Sequence, residues 1–149
     1  GSGVRCVKVS SCNQHAVAWD DEGRLFTWGG GEDGHLGHGS IEDIDVPRRV
    51  QALETVPIVR AAAGAFVTLA VDRSGNVWSW GWGLALGHGG DDDSQELLPK
   101  VIEGLPAGAT FRIAAGDNAA ACGNHDSSDL FLWGTFNNQA VSNTPTRLG

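Results

Sequence analysis

Histidines in two glycine-rich segments are the residues of this chain best suited to bind a metal. His35 and His38 lie within residues 34–39, and His88 lies in a second Leu-Gly-His-Gly segment. Zinc requires three or four nitrogen or sulfur ligands in a tetrahedral array, and no cysteine lies near these segments. We therefore expect no metal site, and we expect each histidine to hydrogen-bond the loop backbone beside glycines in special conformations.

A glycine-rich segment at residues 29–34, Gly-Gly-Gly-Glu-Asp-Gly, matches the spacing of a dinucleotide-binding turn. That function requires a helix directly afterwards, because the helix N-terminus holds the pyrophosphate. The residues that follow, His-Leu-Gly-His-Gly-Ser, do not predict a helix, and Glu32 and Asp33 would repel phosphate. We expect a turn-rich loop here and no nucleotide or other cofactor.

No set of residues in the sequence predicts catalysis. Serine, histidine and aspartate are present, but no serine stands in a G-x-S-x-G nucleophile turn. The paired carboxylates fall on predicted turns and loops, without an apolar enclosure that could shift a pKa. We therefore expect a chain that is not an enzyme.

Three copies of one sequence pattern organise the chain. Each copy has a strand of small residues, an apolar strand, a polar turn and a strand that ends in Trp-Gly. Trp28 and Trp80 are 52 positions apart, and Trp80 and Trp133 are 53 apart. The extra residue falls in the third polar turn, where an insertion costs little stability. The pattern predicts a single segment with approximate units at 4–56, 57–108 and 109–149.

Each unit reads as about four short strands. Large aromatic residues alternate along the strand before each Trp-Gly pair, as in Trp78 and Trp80, so they share one face. The turn at residues 72–76 begins with Asp and carries Gly, which indicates a hairpin. No amphipathic helix is evident. Four antiparallel strands at this period are typical of a β-propeller blade, so we predict an all-β, partial β-propeller of about three blades.

The order Ala-Ala-Gly, apolar strand, Asp-x-x-Gly, x-Trp-Gly, Leu-Gly-His-Gly and a later Pro-x-x-Val resembles the regulator-of-chromosome-condensation repeat. The resemblance covers nearly the whole chain and is clearest in the second unit. Residues 135–143 of the third unit keep no Leu-Gly-x-Gly. The histidine of the family's Ala-Gly turn is present as His15 and is replaced by Val67 and Ala119. The resemblance implies a closed propeller of seven blades, of which this chain supplies about three.

Three blades of that curvature cannot close a ring. The first and last sheets would expose unpaired strand edges, which proteins generally cover. The remaining blades would therefore come from a longer chain or from other copies of this one, and we favour the longer chain.

Two acidic loops occupy equivalent positions in the first and second units. If the units are neighbouring blades, the loops should lie side by side on one face. The second loop lacks the D-x-D-x-D-G spacing of a calcium site. Two interpretations stay open: solvated loops, or an acidic rim that binds a basic segment of a partner protein. The residues are Asp91, Asp92, Asp93 and Glu96 in the second unit, and Glu42, Asp43 and Asp45 in the first.

Lys8, Arg60 and Arg112 form a second periodic set, with 52 positions between neighbours. Each lies in the small-residue strand, between apolar neighbours. One interpretation is structural: each cation pairs with a carboxylate or a loop carbonyl, and such a buried pair is costly to break singly. Asp20 and Asp72, which are also 52 apart, are candidate partners. The other is a basic line along a central channel that could bind an anionic group.

Trp82 differs from the periodic tryptophans, which we expect to pack in the core. It has no counterpart in the other two units. An exposed tryptophan is a common anchor of protein interfaces, so we predict Trp82 to be an interface residue.

The net charge of the chain limits the class of partner that it can bind. The chain has 10 Lys and Arg against 18 Asp and Glu, a net charge of −8. That balance argues against direct binding to nucleic acid, which needs a basic face. It is compatible with a basic protein partner.

The cysteines and the apolar runs bear on location. The three cysteines are odd in number and lack C-x-x-C spacing, which fits a reducing compartment better than a disulfide scaffold. No apolar run approaches the roughly 18 residues of a membrane span, and no signal-peptide pattern is evident. We expect an intracellular protein of the cytoplasm or nucleus.

The sequence leaves two main functional hypotheses. The first is a non-catalytic protein-interaction module of a larger regulatory or scaffold protein, such as a ubiquitin ligase. The second, implied by the resemblance, is a guanine-nucleotide exchange factor for a small Ras-like GTPase. The founding family member performs that exchange with a protruding β-wedge, which has no obvious counterpart in this sequence.

Overall fold

The computed structural model describes residues 6–109, 111–137 and 139–148. These residues form twelve β-strands and two single-turn 3-10 helices, at Gln51–Leu53 and Leu84–Leu86. The strands are β1 Cys6–Cys12, β2 His15–Asp20, β3 Leu25–Gly29, β4 Ile44–Arg49, β5 Ile58–Ala63, β6 Val67–Asp72, β7 Val77–Trp82, β8 Gln95–Val101, β9 Phe111–Ala115, β10 Ala119–Asn124, β11 Leu130–Phe136 and β12 Gln139–Leu148. Among the described residues, no helix has the length and apolar character to cross a membrane.

The strands form three antiparallel sheets of four, β1–β4, β5–β8 and β9–β12, and within each sheet they pair in sequence order. Each sheet is therefore a simple meander joined by short connections, the arrangement expected of a propeller blade. The predicted all-β fold with three four-stranded antiparallel sheets is confirmed.

The second sheet is covered on both faces, and its strand β6 is buried along its whole length. Successive side chains of a strand point to opposite faces. Ala70 accordingly packs in a core with Val17 of the first sheet. Leu69 packs in a core with Phe111 and other residues of the third sheet. Burial on both faces explains why apolar residues follow one another at positions 69–71 of β6 instead of alternating with polar ones.

Small residues lie where the sheets converge. The inner strands β1, β5 and β9 are neighbours in space, and Ala61 and Ala63 of β5 are buried. At the end of β5, a Cβ on Gly64 would lie 2.5 Å from the carbonyl oxygen of Gly116 in the third unit. The small-residue strands thus permit the close approach of neighbouring sheets.

Each Leu-Gly-His-Gly loop reaches across to the next sheet. Gly37 lies against the indole of Trp80, and Gly87 lies against the indole of Trp133; a Cβ on either would come within 3.0 Å of the ring. Backbone bonds fasten the same loops to the outer strand of the next sheet: Gly39 N–H donates to the Leu97 carbonyl at 3.0 Å. The equivalent bond in the next pair of sheets runs from Gly89. This contact fixes the relative position of neighbouring sheets.

Candidate partner-binding surface

His38 and His88 are structural in the same way in the first two units. His38 Nε2 lies 2.8 Å from the Thr27 hydroxyl, which donates to the Leu36 carbonyl at 2.6 Å. Because that hydroxyl has one proton, His38 must donate from Nε2. His88 makes the equivalent bond to Ser79, which donates to a loop carbonyl. The predicted bond to loop backbone is therefore made through an intervening hydroxyl.

His15 and His35 form a buried pair between the first two sheets. Their ring centroids are 4.1 Å apart, and His15 Nε2 lies 2.8 Å from the Thr68 hydroxyl. That hydroxyl donates to the His35 carbonyl, so His15 donates from Nε2. Burial and the His35 ring lower the pKa of His15 to about 3. Within residues 6–109, 111–137 and 139–148, no group of three or more His, Cys, Asp or Glu could hold a metal.

The acidic loop of the second unit contains two kinds of carboxylate. Asp91 Oδ1 accepts from the Asp93 N–H at 3.1 Å and from the Ser94 hydroxyl at 3.2 Å, so Asp91 stabilises its own turn. Glu96 lies 3.4 Å from the ammonium of Lys100. Asp92 and Asp93 are exposed, and their carboxylates make no hydrogen bond or ion pair with the described residues. These two carboxylates are available to a partner.

The corresponding loop of the first unit shows the same division. Asp43 Oδ1 accepts from the Gly31 N–H at 3.0 Å and so holds the start of the loop. Glu42 and Asp45 are exposed, without a side-chain partner in the described part of the chain. Of the seven predicted acidic residues, four have carboxylates without a hydrogen-bond or ion-pair partner in the part of the chain that the structure describes: Glu42, Asp45, Asp92 and Asp93.

The two acidic loops belong to the same connection of adjacent sheets. The first joins β3 to β4 and the second joins β7 to β8. Gly34 of the first loop packs against the Leu97 side chain, near the start of β8, the strand that follows the second acidic loop directly. The loops therefore lie at the same end of neighbouring sheets.

Trp82 borders a cleft of about 460 Å³ between the second and third sheets. It is half-buried, and its ring meets the ring of Phe66 edge to face, with centroids 5.5 Å apart. Asp92 lines the same cleft, so the aromatic residue and one acidic residue predicted separately from the sequence are brought together. Gly83 and Leu84 of the second unit and Asn118 and Thr135 of the third complete the lining.

Sequence reasoning missed Phe66, Asn118 and Thr135. Their signal was available in the repeats, because Phe66 and Asn118 are one period apart, as are Trp82 and Thr135. Equivalent positions of neighbouring units lie on either side of the same gap between sheets. Comparing such positions even where the residue type differs would have indicated that these residues line one cleft.

The periodic cations lie on the inner strands, at the opposite end from the acidic loops. Lys8 and Arg60 line one cavity of about 170 Å³, together with Arg73. Neither candidate carboxylate pairs with them in the described structure. Asp72 accepts from the Trp78 indole and from Asn76. Asp20 is held by Arg24, and Arg112 is exposed on β9.

Comparison with known proteins agrees with this geometry. Residues 22–71 match the family model described as the regulator of chromosome condensation (RCC1) repeat. The chain is 33% identical over 135 residues to the E3 ubiquitin-protein ligase HERC2 of Mus musculus, covering 88% of this chain and 3% of that protein. The chain thus spans a small part of the length of this relative.

Solved structures show the same fold. Human WBSCR16 superposes with a TM-score of 0.82 at 24% identity, over 97% of this chain and 38% of that chain. Prp20p of Saccharomyces cerevisiae superposes with a TM-score of 0.81 at 22% identity, over 100% and 40%. The chain has three consecutive four-stranded sheets, and the glycine loop of one sheet packs against the tryptophan of the next. The comparisons match this arrangement, and the chain is a partial β-propeller of the RCC1-repeat family.

Proposed function

We propose that this chain is a protein-interaction module that binds a basic segment of a partner through an acidic rim. The acidic rim consists of Glu42, Asp45, Asp92 and Asp93. The observation that carries the proposal is that these four exposed carboxylates have no hydrogen-bond or ion-pair partner among the described residues. They lie in two adjacent connections, or in the case of Asp45 at the start of the strand that follows, at one end of the sheets. Charges that neither stabilise a turn nor form an ion pair are free to contact a partner.

The charge of the whole chain supports this choice of partner. A net charge of −8 attracts a basic segment over a distance of about one Debye length, roughly 8 Å at physiological salt. Exposed charges at the rim of an interface mainly change the association rate and its salt dependence. Binding through the acidic rim should therefore weaken steeply as salt is raised.

Neutralising the acidic rim tests the proposal. In the variant with Glu42→Gln, Asp45→Asn, Asp92→Asn and Asp93→Asn, we expect the affinity for lysine- and arginine-rich peptides to fall about 10-fold or more at low salt. Fluorescence anisotropy of labelled peptides against the intact protein measures it.

A matched control removes four exposed charges from connections at the other end of the sheets: Asp21→Asn, Glu54→Gln, Glu103→Gln and Asp126→Asn. Both variants have the same net charge. If the two weaken binding equally, the effect is one of overall charge, and the acidic rim is not the binding surface.

Because the chain covers 3% of HERC2, that ligase's activity cannot be carried over from this match. We propose that the module belongs to a larger regulatory or scaffold protein, in which it recruits a partner and performs no catalysis itself.

Nucleotide exchange on a small GTPase is the second candidate. In its favour, the matching Prp20p structure is of a protein studied for its binding properties to Gsp1p and histones. Against it, every strand in the described part of the chain belongs to one of the three sheets, so these residues form no protruding β-wedge. Nucleotide release from a panel of small GTPases tests this alternative; no acceleration by the intact protein would dismiss it.

A further inference from the structure

We propose that the cleft between the second and third sheets binds an arginine side chain of the partner, with the guanidinium against Trp82 and paired with Asp92. The inference rests on the proposed function and names the side chain that the acidic rim selects. It converts a general attraction for basic segments into a site for one residue.

The two walls of the cleft differ in chemistry. Phe66, Trp82 and Leu84 form an apolar, largely aromatic wall in the second unit. Asn118 and Thr135 form a polar wall in the third. Asp92, an exposed residue of the acidic loop, contributes a carboxylate. An apolar ligand would leave the polar wall and the carboxylate unsatisfied, and an anionic ligand would meet the Asp92 charge.

The repeats show that the fold does not need an aromatic residue at position 82. The backbone N–H of Trp82 donates to the Phe66 carbonyl at 2.9 Å, and in the third unit the backbone N–H of Thr135 donates the equivalent bond to the Asn118 carbonyl at 2.7 Å. In the first unit the same bond is made by Gly30. Glycine and threonine therefore serve the backbone equally well, and the indole is left half-exposed in a cleft for another reason.

Arginine fits this lining better than other side chains do. Its planar guanidinium stacks on aromatic faces while donating up to five hydrogen bonds in its plane. Those donors are chemically matched to the Asp92 carboxylate and to the side-chain oxygens of Asn118 and Thr135, which line the same cleft. Lysine has a compact, strongly hydrated charge that stacks less well. A volume of about 460 Å³ is ample for one such side chain.

The basal test uses acetyl-arginine amide on the intact protein. We expect this probe to shift the Trp82 indole N–H signal in an NMR titration, with the signal assigned by its loss in Trp82→Thr. Acetyl-citrulline amide, which has nearly the same shape without the charge, should leave the signal unmoved. An equal response to both probes would overturn the inference, and so would no response to arginine. This readout needs Asp92 but none of the other three carboxylates of the acidic rim, Glu42, Asp45 and Asp93.

A double-mutant cycle tests the site in a peptide. Among arginine-rich peptides, changing one arginine to citrulline should weaken binding to the intact protein about 10-fold, and to Trp82→Thr hardly at all. Asp92→Asn should reduce the discrimination, whereas the charge-matched control Asp126→Asn should keep it. The acidic-rim variant could lose binding while Trp82→Thr still prefers the arginine peptide over the citrulline peptide as strongly as the parent does. That result would support the proposed function and overturn the arginine site. A lysine peptide bound as tightly as its arginine counterpart would also overturn the choice of arginine.

Discussion

Replacing Trp133 by alanine is expected to lower the free energy of unfolding by about 3–5 kcal/mol, the range typical of large aromatic residues removed from a packed core. Trp133 is fully buried. Its indole lies beneath Gly87 of the preceding unit, and its Nε1–H donates to the Ala85 carbonyl at 2.8 Å. The substitution removes the side chain around which the second and third sheets meet. Urea unfolding followed by circular dichroism measures the loss.

Phenylalanine at the same position separates the hydrogen bond from the packing. Trp133→Phe keeps most of the apolar volume and leaves the Ala85 carbonyl without its partner, at a cost of about 1–3 kcal/mol. Trp80 is the matched control, because it is equally buried but its Nε1 has no partner in the described structure. Trp80→Phe should therefore cost less than Trp133→Phe. Equal losses would show that the indole hydrogen bond contributes nothing.

The contact between tryptophan and glycine also explains why the fold could be predicted. Trp80 and Trp133 occur at a near-constant period because each must meet a glycine of the preceding unit, Gly37 or Gly87. That geometric requirement is visible in the sequence as a Leu-Gly-His-Gly loop in the first two units and a periodic tryptophan in the second and third. The number of sheets and the number of strands in each sheet followed from these repeated residues.

The candidate site left a weaker mark, because binding depends on residues that break the period. The acidic loops could be placed at equivalent positions, and their exposure was expected. Which carboxylates are free could not be predicted, because the bonds that Asp43 and Asp91 make depend on the conformation of each turn. The cleft beside Trp82 needs side chains from two sheets, whose separation no single repeat encodes.

The histidine pair illustrates the same limit. His15 follows the first inner strand, His35 lies in a loop, and Thr68 belongs to the second sheet. Their contact could not be read from spacing, since it depends on how closely the first two sheets approach. The sequence indicated His15 only as a repeat position that Val67 and Ala119 fill elsewhere.

We expect the free energy of unfolding to fall as the pH drops below about 6.5, well above the ordinary pKa values of Asp and Glu. Burial lowers the pKa of His35, His38 and His88, and burial together with the His35 ring lowers that of His15 to about 3. In the unfolded chain a histidine titrates near its ordinary pKa of 6.5. Below pH 6.5 the unfolded state therefore binds protons that the folded state does not, and stability falls.

His15 alone should lower the free energy of unfolding by about 2 kcal/mol between pH 7 and pH 5. The unfolded state gains the proton over about 1.5 pH units below 6.5, and each unit corresponds to about 1.4 kcal/mol. The stability that the neutral His15 ring contributes is fully present above pH 6.5, and it declines with falling pH until the folded-state pKa is reached. The structural cause of the decline is the burial of the His15 ring, whose Nδ1 has no hydrogen-bond partner among the described residues. A proton there would be an unsatisfied charge beside the His35 ring.

Replacing His15 by valine, the residue at the equivalent place in the second unit, tests this cause. The Thr68 hydroxyl still has the His35 carbonyl to donate to, so His15→Val should fold and should lose about 2 kcal/mol less than the parent between pH 7 and pH 5. His125→Gln is the matched control, because His125 is exposed on a turn of the third sheet, and its profile should follow the parent. Urea unfolding at a series of pH values measures all three proteins. An unchanged slope in His15→Val would mean that the acid sensitivity arises elsewhere, because the neutral His15 ring is the only group that this substitution removes.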